Sequence, residues 1–221
     1  MIETGYDLIP KPILEYVKNR NKKRPIIPHK YHVSSIVGCL VKEYYRRTIG
    51  GEIIAIPALL NMLRGTLFDE VFTPLFEKNQ KRYDVTRGKI TLTGQYDFVW
   101  DGSLWDLKIP KSVFFRKESG AGPHYINQGK TYLAFAHYHG DLLDVNKIRI
   151  LMIAGDGVVR ETVEGDDENI MNTMFARASA VDEDLARKKI KNILQFSVPE
   201  ESWECGSQIC FYGEMCPYKK N

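Results

Sequence analysis

The chain has 221 residues, of which 43% are hydrophobic and 27% charged, with a formal net charge of +3. That length allows a sizeable core, and the composition excludes a disordered, fibrous or collagen-like chain. No apolar run approaches the roughly 18 residues of a membrane span and none follows a basic segment as in a signal peptide, so the expected location is cytoplasmic, and the mild positive charge permits nucleic-acid binding without arguing for it.

Residues 1–33 read as a basic arm, with Pro10, Pro12, Pro25 and Pro28 around Lys18, Arg20, Lys22, Lys23 and Arg24, and one short helix at 13–19. Ser34 or Ser35 then offers an N-cap for a helix in which Ile36, Val37, Leu40 and Tyr44 recur at helical spacing up to Gly50-Gly51, with Cys39 inside it. Pro57 opens a second helix whose expected apolar face is Leu60, Leu63, Leu67, Val71 and Leu75, widened by Phe68, Phe72 and Phe76 and ended or kinked by Pro74. Asp69 and Glu70 are its acids, one turn beyond Gly65.

Strands are expected from about 82 to 109, ending in a hairpin of Gly94–Trp100 against Leu104–Pro110. Strand alternation puts Ile90, Leu92, Gly94, Tyr96, Phe98 and Trp100 on one face and Asp97 on the other with Thr93 and Gln95. In the second strand Trp105, Leu107 and Ile109 form the apolar set, so Asp106 and Lys108 project together to the opposite side. Two carboxylates and an ammonium on one surface suit a divalent cation beside a phosphate, since hard cations take oxygen ligands. A solvated face with an ordinary ion pair is the bland alternative.

The loop from Ser112 to Gly122, with Arg116 and Lys117, reads as a mobile basic connection. A helix from Tyr125 to His137 carries Gln128 and Tyr132 on one side, four positions apart. Lys147–Ala154 and Val158–Val163 read as a hairpin around Gly155-Asp156-Gly157. The acids Asp166, Asp167 and Glu168 then start a long helix, where capping and the helix dipole explain them better than a metal does. His124, His137 and His139 read as polar or packing residues, no second half of a histidine metal pattern being present.

Cys39 stands alone, whereas Cys205, Cys210 and Cys216 cluster with four and five residues between them. In a reducing compartment such a set is suited to metal rather than to disulfides; four thiolates can hold an iron-sulfur cluster or zinc, and Cys39 and the tail would then close a loop of 166 positions (205 minus 39).

The element order predicts an α/β (α+β) fold with a mixed sheet flanked by helices. Asp97, with eight residues between it and Asp106-Leu107-Lys108, resembles the PD-(D/E)XK nuclease superfamily. Gln128-x-x-x-Tyr132 resembles the motif of its RecB-like branch, and Cys39 with three C-terminal cysteines ending in Cys216-Pro217 resembles its iron-sulfur members. The single-domain layout is most similar to the CRISPR-associated RecB-like exonucleases. The resemblance implies a restriction-endonuclease-like core at 34–198, with the tail at 199–221 closing an iron-sulfur site (4Fe-4S rather than 2Fe-2S) with Cys39. It implies Mg²⁺ or Mn²⁺ held by Asp69, Asp97, Asp106 and the Leu107 carbonyl, water positioned by Lys108, and Gln128 and Tyr132 supporting the ligands or the DNA backbone. Asp69 stands where the family often has histidine, Tyr96 where it has proline, and Asp106 where glutamate is more frequent. The implied activity is hydrolysis of phosphodiester bonds from single-stranded DNA ends, without a covalent intermediate, with the CRISPR integrase complex as an implied partner. An endonuclease of the same chemistry and a non-catalytic zinc-binding adaptor of a DNA-processing complex remain as alternatives.

Overall fold

The computed structural model describes residues 10–12, 15–16, 25–49, 56–196, 210, 212 and 215–217. The basic run at 18–24, the Gly50-Gly51 stop, Cys205 and most of the helix expected at 13–19 lie outside the described residues. In chain order the elements are β1 (Lys30–His32), α1 (Val33–Ile36), α2 (Leu40–Thr48), α3 (Ile56–Phe72), β2 (Lys78–Asn79), β3 (Arg82–Arg87), β4 (Ile90–Gln95), β5 (Phe98–Trp100), β6 (Ser103–Lys108), α4 (Arg116–Ser119), α5 (Pro123–Tyr138), β7 (Lys147–Ala154), β8 (Gly157–Glu164) and α6 (Asp167–Arg187). This is a mixed α+β fold with helices flanking mixed sheets.

The single sheet expected from sequence is in fact two. One has the order β1-β4-β3 and the other β2-β5-β6-β7-β8. They arise from one antiparallel ribbon that breaks in both strands at the same level. β3 pairs β4 as far as Arg82 opposite Gln95, and β2 pairs β5 from Asn79 opposite Phe98. The interruption comprises Gln80-Lys81 on one side and Tyr96-Asp97 on the other, so the expected continuous strand through Gly94–Trp100 is interrupted at the acid it was expected to display. Gln80 adopts the left-handed conformation at φ 44°, and its N–H donates to the Asp97 carbonyl at 2.9 Å.

Strand alternation in β6 and β7 sorts the large sheet into two faces. Leu104, Ile148, Ile150 and Met152 are fully buried on the face under α5. Trp105 and Leu107 face the other way and pack with Phe98, Phe68 and Phe76, the Phe76 and Phe98 rings stacking at 3.9 Å. The apolar face expected for α3 packs only in its widened part: Leu67, Val71 and Leu75 are 43%, 62% and 73% exposed, whereas Phe68 and Phe76 make the contact. A helix with apolar residues around much of its circumference has no unique face until a neighbour is supplied.

Three boundaries also differ from expectation. Residues 30–32, placed in the arm by sequence, form β1, parallel to β4 through Tyr31 opposite Leu92. The helix expected from Ser34 to Gly50 divides into α1 and α2, and Cys39 is not inside it but is the N-cap of α2, with extended backbone. Ser112–Gly122 is not a free loop, because the Asp156 carboxylate in the β7–β8 turn accepts from the Ser112 hydroxyl and the Val113 N–H. Asp166 caps α6 by position only, without a side-chain capping bond, while Asp167 pairs with His137 at 2.5 Å.

Helix α5, which carries Gln128 and Tyr132, lies close on β7 because Gly129 has no side chain; a Cβ there would stand 2.6 Å from Ile148 Cγ2. Gly129→Ala therefore trades about 1 kcal/mol of helix propensity against overpacking of about 1 to 3 kcal/mol. A lower urea midpoint is expected, and in an Ile148→Ala background, itself destabilised, the same glycine change should no longer lower it; an equal drop in both backgrounds would disprove the close approach.

Candidate active site

Leaving the ribbon, the chain at Tyr96-Asp97 no longer supplies a ladder partner to the end of β6. The Leu107 N–H is taken instead by the Asp97 side chain, whose Oδ2 accepts it at 2.5 Å. Buried backbone donors require a partner, so this bond both satisfies Leu107 and aims Asp97 at the neighbouring residues. Asp106 and Lys108 are next to it on the α5 face of β6. Asp106 is 1% exposed, and Lys108 Nζ lies 2.7 Å from its Oδ2. The solvated alternative for this pair is thereby removed.

The two carboxylates are too close and too dry to ionise independently. Burial first, and the Asp106 charge second, push the Asp97 carboxyl up to about 7 from an ordinary 3.8. Burial also raises Asp106, against the pull of Lys108. For Lys108 burial acts downward, but Asp106 and Asp97 overcome it and hold the amine firmly protonated. One ammonium thus faces two acids, and Asp106 Oδ1 has no hydrogen-bond partner among the described residues.

Asp69 of α3 and Gln128 and Tyr132 of α5 line the same cleft, of about 250 Å³. The α3 helix is tied to the end of β6 by Arg64, whose Nη2 donates to the Ile109 carbonyl at 2.7 Å. Burial raises the Asp69 carboxyl, with Asp106 adding to the rise and Lys108 opposing it. Gln128 Nε2 donates to Tyr132 Oη at 2.5 Å. The tyrosine ring occupies the space above Gly94, where a Cβ would stand only 2.7 Å from it. Burial, then Asp106, pushes the Tyr132 hydroxyl up to about 12, so it acts as a neutral donor.

The structure therefore brings Asp69, Asp97, Asp106, Leu107, Lys108, Gln128 and Tyr132 to one cleft. Among the described residues no three carboxylate, imidazole or thiol groups already stand within reach of one ion, so the acids ring the cleft without closing on a point. The donor set nonetheless fits a hard divalent cation: mutually repelling, desolvated carboxylates with one oxygen lacking a partner. Sequence reasoning missed Arg64, Gln80 and Arg82, the first because its partner is a distant carbonyl, the others because the ribbon break has no local signature.

Three of the four cysteines are described, and like the acids they do not close on one point. Cys39, Cys210 and Cys216 are part-buried free thiols; burial raises the Cys39 thiol, and Cys216 and Cys210 act on it electrostatically. The tail is held there by Tyr45, whose hydroxyl donates to the Met215 carbonyl at 2.7 Å and whose ring lies 5.6 Å from that of Tyr212.

Among solved structures, the protein designated SSO0001 superposes with a TM-score of 0.66 at 16% identity, over 96% of this chain and 97% of that one. A phage related exonuclease from Haemophilus somnus 129PT superposes with a TM-score of 0.49 at 12% identity, over 73% of this chain and 96% of that one. The first shares this fold along nearly its whole length; the second is too loose to carry an argument. No family model and no curated protein matches the chain. Among the described residues no helix is long and apolar enough to cross a membrane.

A carboxyl raised from 3.8 to about 7 binds more protons folded than unfolded between those values. Its contribution to stability is full below the lower value and lost as the pH rises through the upper one. Melting temperatures in EDTA should fall across that window, and Asp97→Asn should flatten the fall. An unchanged slope in the variant would contradict the paired burial of Asp97 and Asp106.

Proposed function

We propose that this protein is a metal-dependent nuclease that hydrolyses DNA phosphodiester bonds, acting from single-stranded ends. The observation that carries the reading is the buried Asp97–Asp106–Lys108 group, with its unpartnered Asp106 oxygen, at the wall of an open cleft. Asp97 and Asp106 would hold Mg²⁺ or Mn²⁺, with Asp69 and the Leu107 carbonyl completing the oxygen set. When bound, the cation supplies Lewis-acid polarisation of the phosphate and a lowered pKa for the attacking water.

The chain's own residues do the rest. Lys108, kept protonated by two acids, orients the incoming water and offsets negative charge growing on the phosphate oxygens. Tyr132, neutral and fixed by Gln128, donates a hydrogen bond into the cleft and keeps bulk water from the Asp97 side. The leaving oxygen takes its proton from solvent, and no side chain is bonded covalently to the substrate. Preference for single strands and ends, and a setting in CRISPR adaptation alongside an integrase complex, come from the family resemblance.

Asp106→Ala and Lys108→Ala should each lower metal-dependent cleavage of linear single-stranded DNA by about 100-fold or more while the far-ultraviolet spectrum is unchanged. Full activity in either would refute the site. A circular single-stranded substrate separates the modes, since an exonuclease leaves it intact.

We further propose that Cys39, Cys205, Cys210 and Cys216 hold an iron-sulfur cluster of the 4Fe-4S type. The free, part-buried thiols of Cys39, Cys210 and Cys216 support it; they would have to draw together from their present positions to share one cluster. Anaerobic purification should give coloured protein with iron and acid-labile sulfide, both lost in Cys39→Ser and Cys216→Ser; colourless protein carrying zinc would replace the cluster with a structural ion.

A further inference from the structure

The cleft is larger than a cation needs. At about 250 Å³ it holds on the order of eight water volumes of roughly 30 Å³ each, and its two ends differ in character. The acids and Lys108 occupy the end beneath α3 and α5. The rest of the lining, His32, Ser34, Gln80, Arg82, Thr93 and Gln95, adds no carboxylate of its own and is furnished with hydrogen-bond donors; the neighbouring Asp84 of β3 bonds to Thr93 and is paired with Lys30. The donors come from β1, α1 and the two broken strands.

Two features make that end a built surface. Gln80 is held at φ 44°, a conformation side-chain-bearing residues seldom adopt, and its N–H is bonded to the Asp97 carbonyl, so the wall is fixed to the acidic end through the backbone. The neighbouring cations are also used differently. Lys81 is committed to Asp141 at 2.7 Å. Arg82, directly opposite Gln95 where the ribbon breaks, has a weak contact of 3.4 Å with Gln95 Oε1 and exposes its guanidinium to the cleft. A planar fork of donors fits two phosphate oxygens.

We propose that Arg82, with Gln95, Ser34 and His32 beside it, binds the backbone phosphate next to the scissile one and so sets how the DNA strand enters the acidic end. This rests on the nuclease reading for the identity of the substrate. The occupant is a phosphodiester of the substrate strand: its charge matches the donor end, its neighbour must reach Asp97 and Asp106, and the nearby Asp84 carboxylate is already paired with Lys30.

The test uses the full-length protein and single-stranded oligonucleotides carrying one neutral methylphosphonate at successive positions. Binding is read by fluorescence anisotropy in Ca²⁺ and cleavage by single-turnover kinetics in Mg²⁺, for wild type, Arg82→Ala, Arg82→Lys and the control Lys81→Ala. One methylphosphonate position, adjacent to the cut, should weaken wild-type binding about 10-fold and leave Arg82→Ala unaffected, the signature of a coupled pair. Arg82→Ala should also reduce the slope of log K against log salt by about 0.7, one single-strand phosphate contact. It should raise KM far more than it lowers kcat, and Arg82→Lys should recover the salt slope but only part of the affinity. Lys81→Ala should change none of these.

Equal sensitivity of wild type and Arg82→Ala at every position overturns the proposal, as does an equal loss in Lys81→Ala. Should Arg82→Ala fail to fold, Arg82→Lys and the methylphosphonate scan of wild type decide it alone. Position-dependent binding without cleavage by wild type would sink the nuclease reading and keep the phosphate site; cleavage without coupling to Arg82 would do the reverse.

Discussion

The bond from the Leu107 N–H to the Asp97 carboxylate is the constraint on which the site depends. A sheet satisfies its backbone donors by adding strands, and here the strand that should continue beside β6 has crossed into the other sheet. The donor left behind needs an acceptor, and a carboxylate at the break supplies one. Breaking the ribbon thus opens the cleft, turns Asp97 toward Asp106, and closes the hydrogen-bond deficit that the break creates. The matching interruption at Gln80-Lys81 follows, because a ribbon can turn between sheets only if both strands give way at the same level.

The electrostatics follow from that geometry. Asp97 and Asp106 are buried side by side with a single lysine, and Asp69 adds a third acid at the rim. Isolated, the arrangement is unfavourable, since desolvated carboxylates repel and one ammonium cannot satisfy both. It becomes favourable with a divalent cation or a shared proton. Stability and proposed activity therefore draw on the same residues in opposite directions, and the two close glycine contacts gain their meaning here. Gly94 lets the Tyr132 ring seal one side of the acid pair, and Gly129 lets α5 sit low enough on Ile148 to deliver it.

How much of this was legible in the sequence depended on whether the determining contact was local. The period of two in β6 placed Asp106 and Lys108 on one face and Trp105 and Leu107 on the other, as the structure has them, because alternation is a property of the strand itself. The helical spacing of Gln128 and Tyr132 succeeded for the same reason. Asp97 was placed on the correct side, but as a member of a continuous strand, and its actual role comes from a strand that departs, which no window of residues encodes. The packed face of α3 was read too broadly, taking in both Phe68 and Leu67, because the two are equally apolar and only the β5–β6 surface chooses between them. Cys39 was read as a helix interior residue, whereas the division into α1 and α2 makes it a cap; the carbonyls of Ile36 and Gly38, released by that division, are taken by Arg177 from the distant α6 at 2.7 and 2.8 Å.

That last arrangement connects the cleft with the cysteines along the chain. His32 and Ser34 line the donor end of the cleft, and Cys39 lies five residues beyond Ser34 on the same short segment. Arg177 fixes the intervening turn, and Met215 and Tyr212 of the tail contact Tyr45 of α2, the helix that Cys39 caps. The segment from His32 to Cys39 is thus the part of the chain that joins the donor lining of the cleft to the cysteines, whereas the acids stand immediately before β5, on β6 and on α3.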